Sequence, residues 1–326
     1  MTTLLDTRLK AMTHLRRLLC EGAPPHTVKR AIDDNVWFTP DDIKYAIDAI
    51  TDTMLSHDAV TQWLGRYPHA DKGRRVAVIM AGNIPMAGFF DLLCCCLTGN
   101  TALVKHSSKD RHLMQWAQEC VRTAFDADIR ELREHTEAEA LIASGSTNTA
   151  MHIRRQFGSI PMILRGHRSS AAIIEGNETE RELALLWNDI FTYHTLGCRN
   201  VTHLYLPDGY PAAAIAEALS CQSHRMTHPP FIDNYRQNRA LKIMTGAPFI
   251  DGGFFTLSPG NRSDAISDIT YSFYRSSQEL SDTLAAAEHH TQCLVSHRHI
   301  PFGSAQKPYP WDYPDSVDVI DFLLKP

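Results

Sequence analysis

The N-terminal part of the chain, up to about residue 65, places apolar residues at helical intervals. Apolar side chains that recur every three or four positions share one face of a helix. The first such face consists of Leu5, Leu9, Met12, Leu15 and Leu19. A further helix is predicted to begin at Pro40, because carboxylates follow it within one turn. We therefore expect a short helical segment here.

From about residue 74 onward, short apolar runs alternate with helical segments. Arg74–Met80 and Thr101–Val104 are typical of buried strands, and a helix over Pro85–Leu97 is predicted between them. Strand, helix and strand in about 30 residues form one βαβ unit of a parallel sheet. The alternation continues through the helix Arg111–Phe125 and the strands Ala140–Ser144, Pro161–Leu164 and Ala171–Ile174. This pattern predicts an α/β fold with a doubly wound sheet.

Cys198 stands between a helical segment, Leu183–Tyr193, and an apolar run, Val201–Leu206, with Gly197 before it. A thiol on a turn between two ordered elements is suited to attack a carbonyl carbon. The alternative is a small buried side chain, which we expect for the cysteines of Cys94–Cys96 on an apolar helix. After residue 207 the pattern is weaker, and helices are predicted only over Pro211–Ser220 and Gln278–Glu288.

The composition limits the classes of protein to which the chain can belong. The 326 residues are 44% hydrophobic and 21% charged, with a formal net charge of −5. This charge does not favour a nucleic-acid partner. No apolar run reaches the roughly 18 residues of a membrane span, and no secretory signal is apparent. The eight cysteines include the run Cys94–Cys96, which is unsuited to a disulfide framework. We expect a reduced, soluble, cytoplasmic protein.

Three polar turns follow predicted strands, where ligands bind in open α/β sheets. A glycine allows close backbone approach, lysine and hydroxyl groups suit ribose or phosphate, and a helix N-terminus suits an anion. Each turn taken alone also fits a capped helix or a solvated loop. The candidate residues are Gly82 and Asn83, then Lys105, Ser107 and Ser108, and then Gly145, Ser146 and Thr147.

The order of these motifs resembles the aldehyde dehydrogenase superfamily, and more closely its LuxC-like acyl-CoA (fatty-acid) reductases. The resemblance covers the chain from about Arg74 to the C-terminus. It rests on the segments Gly82–Met86, Gly145–Thr149, Gly166–Ser170, Gly197–Val201, Pro301–Gln306, Trp311–Asp315 and Asp321–Leu324. It implies an aldehyde-dehydrogenase-like α/β fold with a Rossmann-like cofactor domain and an α/β catalytic domain.

The resemblance also implies a division of the chain. Residues 1–170 would hold the N-terminal helices and the dinucleotide-binding domain, and residues 171–300 would form the domain that carries the thiol. Residues 301–326 would return toward the cofactor domain.

By the same resemblance, Cys198 would attack an acyl thioester, and the bound acyl group would be reduced to an aldehyde. Asn83 and the backbone N–H of Cys198 would hold the oxyanion. Lys105, Ser107 and Ser108 would contact the cofactor's ribose or its phosphate. The cofactor's pyrophosphate would lie along Gly145, Ser146 and Thr147.

Two departures from the wider superfamily refine the expected reaction. Leu164 falls where hydrolytic relatives place a general-base glutamate, and leucine cannot accept a proton. Ser108 falls where NAD-preferring relatives place a glutamate, and Lys105 and Lys109 lie nearby. The expected activity is therefore reduction of a fatty acyl-CoA or acyl-protein thioester, with NADPH preferred over NADH.

Other interpretations stay open. A cysteine acyltransferase or thioesterase would use Cys198 without reduction, with His194 or His203 as the nearest bases in sequence. A non-catalytic homologue would bind acyl groups or a partner enzyme. The resemblance is compatible with a homo-oligomer and with a partner acyltransferase or synthetase.

Two further features lead to expectations. No metal is expected, because the histidines and cysteines between Cys221 and His299 lack the paired spacing of zinc sites. The clustered aromatic residues Phe231, Phe249, Phe254 and Phe255 are predicted to line an acyl tunnel.

Overall fold

In a computed structural model of the protein, residues 3–68, 71–145 and 147–325 are described. The helices are α1 Leu4–Cys20, α2 Pro25–Asp34, α3 Pro40–Ala49, α4 His57–Leu64, α5 Phe89–Leu97, α6 Arg111–Phe125, α7 Thr147–Phe157, α8 Glu180–Phe191, α9 Ala212–Ser220, α10 Pro229–Thr245, α11 Ser277–Ala287 and α12 Val319–Leu324. The strands are β1 Arg75–Ile79, β2 Thr101–Lys105, β3 Ile129–Glu131, β4 Ala140–Ser144, β5 Met162–Arg165, β6 Ser169–Ile173, β7 Val201–Pro207, β8 Ile250–Asp251, β9 Thr256–Pro259, β10 Asp268–Tyr274 and β11 Thr291–Val295.

The chain forms two compact units. The first consists of Met1–His167 and Lys307–Pro326, and the second of Arg168–Gln306. The changes of unit thus fall after His167 and after Gln306, where the sequence predicts boundaries at residues 170 and 300.

The first unit is built on a parallel sheet with the strand order β3-β2-β1-β4-β5. Val76 and Val78 face a core shared with α1, α5 and α6, whereas Ala77 faces the opposite layer, which contains Ile153 of α7. Both faces of the sheet are therefore covered, which explains why its strands are apolar throughout rather than alternating. The expected doubly wound α/β sheet is confirmed.

The N-terminal helices belong to the first unit. Thr3 and Asp6 cap α1 reciprocally, and Thr39 and Asp42 cap α3 in the same way. The apolar face of α1 enters the core, since Leu15 is fully buried. The apolar residues that recur at helical intervals near the N-terminus are therefore the ones that pack into the core.

The last part of the chain is anchored in the first unit. Trp63 Nε1 donates a hydrogen bond of 2.7 Å to the hydroxyl of Tyr313, and the Tyr67 hydroxyl donates one of 2.7 Å to Asp318. Burial raises the pKa of Tyr313 to about 12. Val319 and Leu323 of α12 are fully buried in the core that contains α5.

The second unit has a sheet with the order β11-β6-β7-β10-β9-β8. Its pairs are parallel except for β8 with β9. On one face, Ala171, Ile173 and Tyr205 pack against Leu280 and Leu284 of α11.

The predicted acyl tunnel is wrong. Phe231, Phe254 and Phe255 are at most 2% exposed and surround Phe191, with ring centroids 4.9–6.0 Å from its own. These rings form a closed aromatic core, because each fills the space beside the next. Phe249 is not among these packed rings and is half-buried.

In the described part of the chain, no helix combines the length and the apolar character that crossing a membrane requires.

Candidate active site

The three predicted cofactor turns lie at one edge of the first sheet. Ile79 at the end of β1 pairs with Lys105 of β2 and with Ala143 of β4. Because these strands are parallel and β1 lies between the other two, the turns that follow them are neighbours. The chain departs to opposite sides of β1 at this point, and such a switch point is where ligands bind in open α/β sheets.

The turn after β1 is fixed to the loop after β2 by close packing. A Cβ atom on Gly82 would lie only 2.5 Å from Ser107 Oγ and 3.2 Å from Asp110 Cβ. The buried Asn35 amide donates hydrogen bonds to the carbonyl oxygens of Gly82 (3.4 Å) and Lys109 (3.3 Å). The structure therefore brings Gly82 and Ser107 together and leaves Asn83 exposed beside them.

Asp110 also holds this turn, at the place where the predicted start of the helix is wrong. Its carboxylate accepts the N–H of Met86 at 2.7 Å, and Met86 has a φ of 59°. Residues 85–88 therefore form a turn, and α5 begins at Phe89 rather than at Pro85. Burial raises the pKa of the Asp110 carboxyl well above its usual range, against the effect of the N–H groups it accepts.

We expect Gly82→Ala to lower the free energy of unfolding by about 1–3 kcal/mol, as overpacking typically does. The added methyl group would overlap the Ser107 side chain. Urea unfolding would measure the loss, and Gly82→Ala/Ser107→Gly should recover part of it. Equal stability of Gly82→Ala and wild type would contradict the close approach.

The other predicted cofactor residues differ in their surroundings. Lys105 and Ser108 are exposed. Gly145 donates its N–H to the carbonyl of Arg165 at 3.1 Å, which continues the pairing of β4 with β5. Ser146 lies outside the described residues. The backbone of α7 begins at Thr147, so a helix N-terminus directly follows this turn.

In the second unit, Cys198 lies in a four-residue turn between α8 and β7. The backbone N–H of Asn200 donates to the carbonyl of Gly197 at 3.0 Å, and the N–H of Gly197 donates to Asn200 Oδ1 at 2.8 Å. Cys198 is thus one of two residues inside a turn that is closed twice. Gly197 and Asn200 are buried, whereas Cys198 is partly exposed.

Two further side chains hold the turn that carries the thiol. Ser170 Oγ donates to the carbonyl of Cys198 at 2.9 Å and lies 3.1 Å from Cys293 Sγ. Arg199 Nε donates to the carbonyl of Ala305 at 2.5 Å. The turn is therefore fixed to β6 and to the segment Pro301–Gln306.

Asp189 of α8 also holds the segment Pro301–Gln306 in place. Its fully buried carboxylate accepts the N–H groups of Gly303 at 2.6 Å and Ala305 at 2.8 Å. Burial raises the pKa of Asp189 to about 6, although these N–H groups and Arg199 favour the ionised form. No sequence pattern predicts Ser170, Asp189 or Asn200 as partners of the turn.

The two candidate bases have different environments. His203 is 2% exposed, and its ring nitrogens lie 2.8 Å from Thr270 Oγ1 and 3.0 Å from Ser272 Oγ. Both nitrogens are thus engaged within the sheet, so His203 does not fit a base acting on substrate. The ring of His194 lies 4.0 Å from that of His228 between centroids.

His203 predicts a dependence of stability on pH. Burial lowers its pKa to about 4 from the ordinary 6.5. Between these pH values the unfolded chain binds more protons than the folded one, so the free energy of unfolding falls as pH decreases from 6.5 toward 4. His203 alone accounts for about 3 kcal/mol of this fall. Urea unfolding across this range should show a shallower fall for His203→Gln, and an unchanged one for His224→Gln, whose side chain is exposed.

Among the described residues, no group of three or more histidine, cysteine, aspartate or glutamate side chains is arranged to hold a metal ion.

The sequence profile described as "Acyl-CoA reductase (LuxC)" matches residues 35–229, more than half of the chain. The protein belongs to the LuxC acyl-CoA reductase family. The match includes all three polar turns and the turn that carries Cys198. No curated protein matches this LuxC-family sequence.

Solved structures show the same fold for this LuxC-family chain. The NAD+ complex of aldehyde dehydrogenase from Bacillus cereus has a TM-score of 0.62 at 13% identity, covering 90% of this chain and 71% of the other. An oxidoreductase from Marinobacter aquaeolei has a TM-score of 0.65 at 13% identity, covering 89% and 73%. NADP-dependent glyceraldehyde-3-phosphate dehydrogenase from Bacillus halodurans C-125 has a TM-score of 0.61 at 12% identity, with the same coverage. The predicted aldehyde-dehydrogenase-like fold is confirmed.

Proposed function

We propose that this LuxC-family protein reduces a fatty acyl thioester, acyl-CoA or acyl-protein, to the aldehyde, with NADPH as reductant. The observation that carries the proposal is the partly exposed Cys198, held in a doubly closed turn within the family's matched segment. A thiol fixed in this way can attack without a large rearrangement of its backbone.

In the first step, the thiolate of Cys198 attacks the thioester carbonyl carbon. The C–S bond to the donor breaks, the donor leaves as a thiol after taking up a proton, and the acyl group remains on Cys198 as a new thioester. Negative charge develops on the carbonyl oxygen during this exchange. The backbone N–H of Cys198 and the Asn83 amide are the proposed donors to that oxygen.

The first unit is the proposed cofactor-binding part. Lys105 and Ser108 are exposed at the end of β2, and the start of α7 follows Gly145, so a ribose phosphate and a pyrophosphate match the groups available. Ser108 carries no charge, and Lys105 and Lys109 would attract a 2′-phosphate. When bound, NADPH would supply the hydride to the acyl carbonyl carbon. The aldehyde would leave as the C–S bond to Cys198 breaks, which restores the thiolate.

Water-driven release of the acyl group is disfavoured by Leu164. This residue packs in the apolar cluster that contains Leu141 and Phe157, and it offers no proton acceptor. An acyl group on Cys198 is therefore kept for reduction or for transfer to another thiol.

The test is consumption of NADPH and of NADH with a panel of acyl-CoAs of increasing chain length. We expect aldehyde product, a dependence on chain length and faster turnover with NADPH. Release of free CoA without oxidation of either dinucleotide would instead favour a transferase or thioesterase. Faster turnover with NADH would overturn only the cofactor assignment.

A further inference from the structure

The backbone just before the Cys198 turn adopts an unusual conformation. Tyr193, His194 and Thr195 have φ values of 56°, 58° and 62°. A non-glycine residue in the left-handed region costs roughly 1–2 kcal/mol, so three in succession persist only where surrounding contacts fix them. The segment between α8 and the thiol is therefore held under strain.

Asn200 makes contacts at both ends of this strained segment. On the upstream side, its Nδ2 donates to the carbonyls of Ile190 at 2.9 Å and Thr192 at 2.6 Å. On the downstream side, its Oδ1 accepts the N–H of Gly197 at 2.8 Å. One amide thus joins the last turn of α8 to the turn that holds Cys198.

The backbone of Asn200 completes the arrangement. Its N–H donates to the Gly197 carbonyl at 3.0 Å, and its carbonyl accepts the N–H of Ser170 at 3.1 Å. The residue is 0% exposed, so these hydrogen bonds do not compete with water. Every described hydrogen bond of its side chain is made to a backbone group rather than to the thiol.

We propose that Asn200 is a positioning residue. By bonding to both ends of the strained segment, it fixes the thiol and the backbone N–H of Cys198. The proposal rests on the proposed role of Cys198 as acyl acceptor. A primary amide is suited to this position because its oxygen accepts on one side and its Nδ2 donates to the carbonyls at the end of α8 on the other, that of Asp189 at 3.5 Å included. Aspartate would keep the acceptor but turn a carboxylate toward these carbonyl oxygens, and alanine would remove every one of these side-chain bonds.

Loss of Asn200 therefore releases the turn while leaving the thiol in the protein. A displacement of about 1 Å at a reacting group can cost roughly 10²-fold in rate. The proposed cofactor residues all belong to the first unit, whereas every described hydrogen bond of Asn200 lies within the second, so dinucleotide affinity is expected to be unchanged.

The experiment compares Asn200→Ala and Asn200→Asp with wild type and with Asn234→Ala as matched control. Asn234 also donates its amide to a backbone carbonyl, that of Pro230 at 2.8 Å, but within α10. Three rates are measured: acylation of Cys198 by acyl-CoA in a single turnover, alkylation of Cys198 by iodoacetamide, and amide hydrogen exchange over residues 190–200. Dinucleotide affinity and thermal unfolding are recorded alongside.

We expect acylation to fall by about 10- to 10²-fold in both Asn200 variants, with faster exchange over residues 190–200, an altered alkylation rate and wild-type dinucleotide affinity. The Asn234 variant should match wild type. Wild-type acylation in a folded Asn200 variant would overturn the proposal, even if exchange were faster. If one variant fails to fold, the other gives the test.

Failure of the proposed function has a different signature. In that case wild type itself would not be acylated by any acyl-CoA. Alkylation and hydrogen exchange would then still report on Asn200, because neither needs an acyl substrate. Unchanged alkylation and exchange in the Asn200 variants would overturn the positioning role under those conditions.

Discussion

Replacing Cys198 with alanine is expected to abolish both acylation of the protein and formation of aldehyde. Removing a nucleophile leaves no atom to form the new thioester, and such losses reach roughly 10⁴- to 10⁶-fold in turnover. Intact-mass spectrometry after mixing with acyl-CoA alone, without dinucleotide, would show the acyl increment in wild type and none in the variant. Omitting the dinucleotide isolates this step, because the acyl group then has no reductant.

The matched control is Cys221→Ala, which removes an exposed thiol from the same unit. Wild-type mass increments and turnover are expected for this variant, because Cys221 follows α9 and has no described contact with the Cys198 turn. An acyl increment that persists in Cys198→Ala would show that another thiol accepts the acyl group. The proposed mechanism would then be wrong at its first step.

The parts of the fold that were predictable are those in which local pattern and burial agree. The strands of the first sheet are apolar throughout because both faces are covered, and the sequence shows this directly. Helix α10 was not predicted, because few of its side chains are buried. Beyond Tyr235 its side chains are exposed or half-buried, so the sequence contains no apolar stripe there.

The start of α5 was misplaced for a reason that no local pattern contains. Met86 has a φ of 59°, which no right-handed helix allows, and Asp110, which lies beyond the next strand, accepts the N–H of this residue. A contact across this distance in the chain exists only once the sheet has formed. Terminal residues of helices therefore depend on tertiary partners more than their interiors do.

In the candidate site, too, the features set by local sequence were predictable and those set by tertiary contacts were not. The turn position of Cys198 was predictable from the glycine before it and the strand after it. Its supports were not, because Ser170 and Asp189 lie on other elements. Asn200 lies within the segment Gly197–Val201, yet its proposed role depends on the carbonyls of Ile190 and Thr192, which only the end of α8 brings near.

Asn83→Ala is expected to slow acylation by about 10²–10³-fold, the usual cost of losing one oxyanion donor. The side chain is exposed, and the backbone of the turn that carries it is held by Asn35 at Gly82 and by Asp110 at Met86. Single-turnover acylation by acyl-CoA would measure the loss. Asn83→Asp should be at least as slow, because a carboxylate would repel the developing negative charge.

The control for this prediction is Asn177→Ala, an exposed asparagine in the second unit with no proposed role. It should acylate at the wild-type rate. The Asn83 variants should retain wild-type thermal unfolding, since an exposed side chain contributes little to the core, and they should retain alkylation of Cys198 by iodoacetamide, which develops no oxyanion. Slow acylation with normal alkylation would separate loss of the oxyanion donor from loss of the thiol. Wild-type acylation in Asn83→Ala would exclude the amide from the reaction and leave the backbone N–H of Cys198 as the remaining proposed donor.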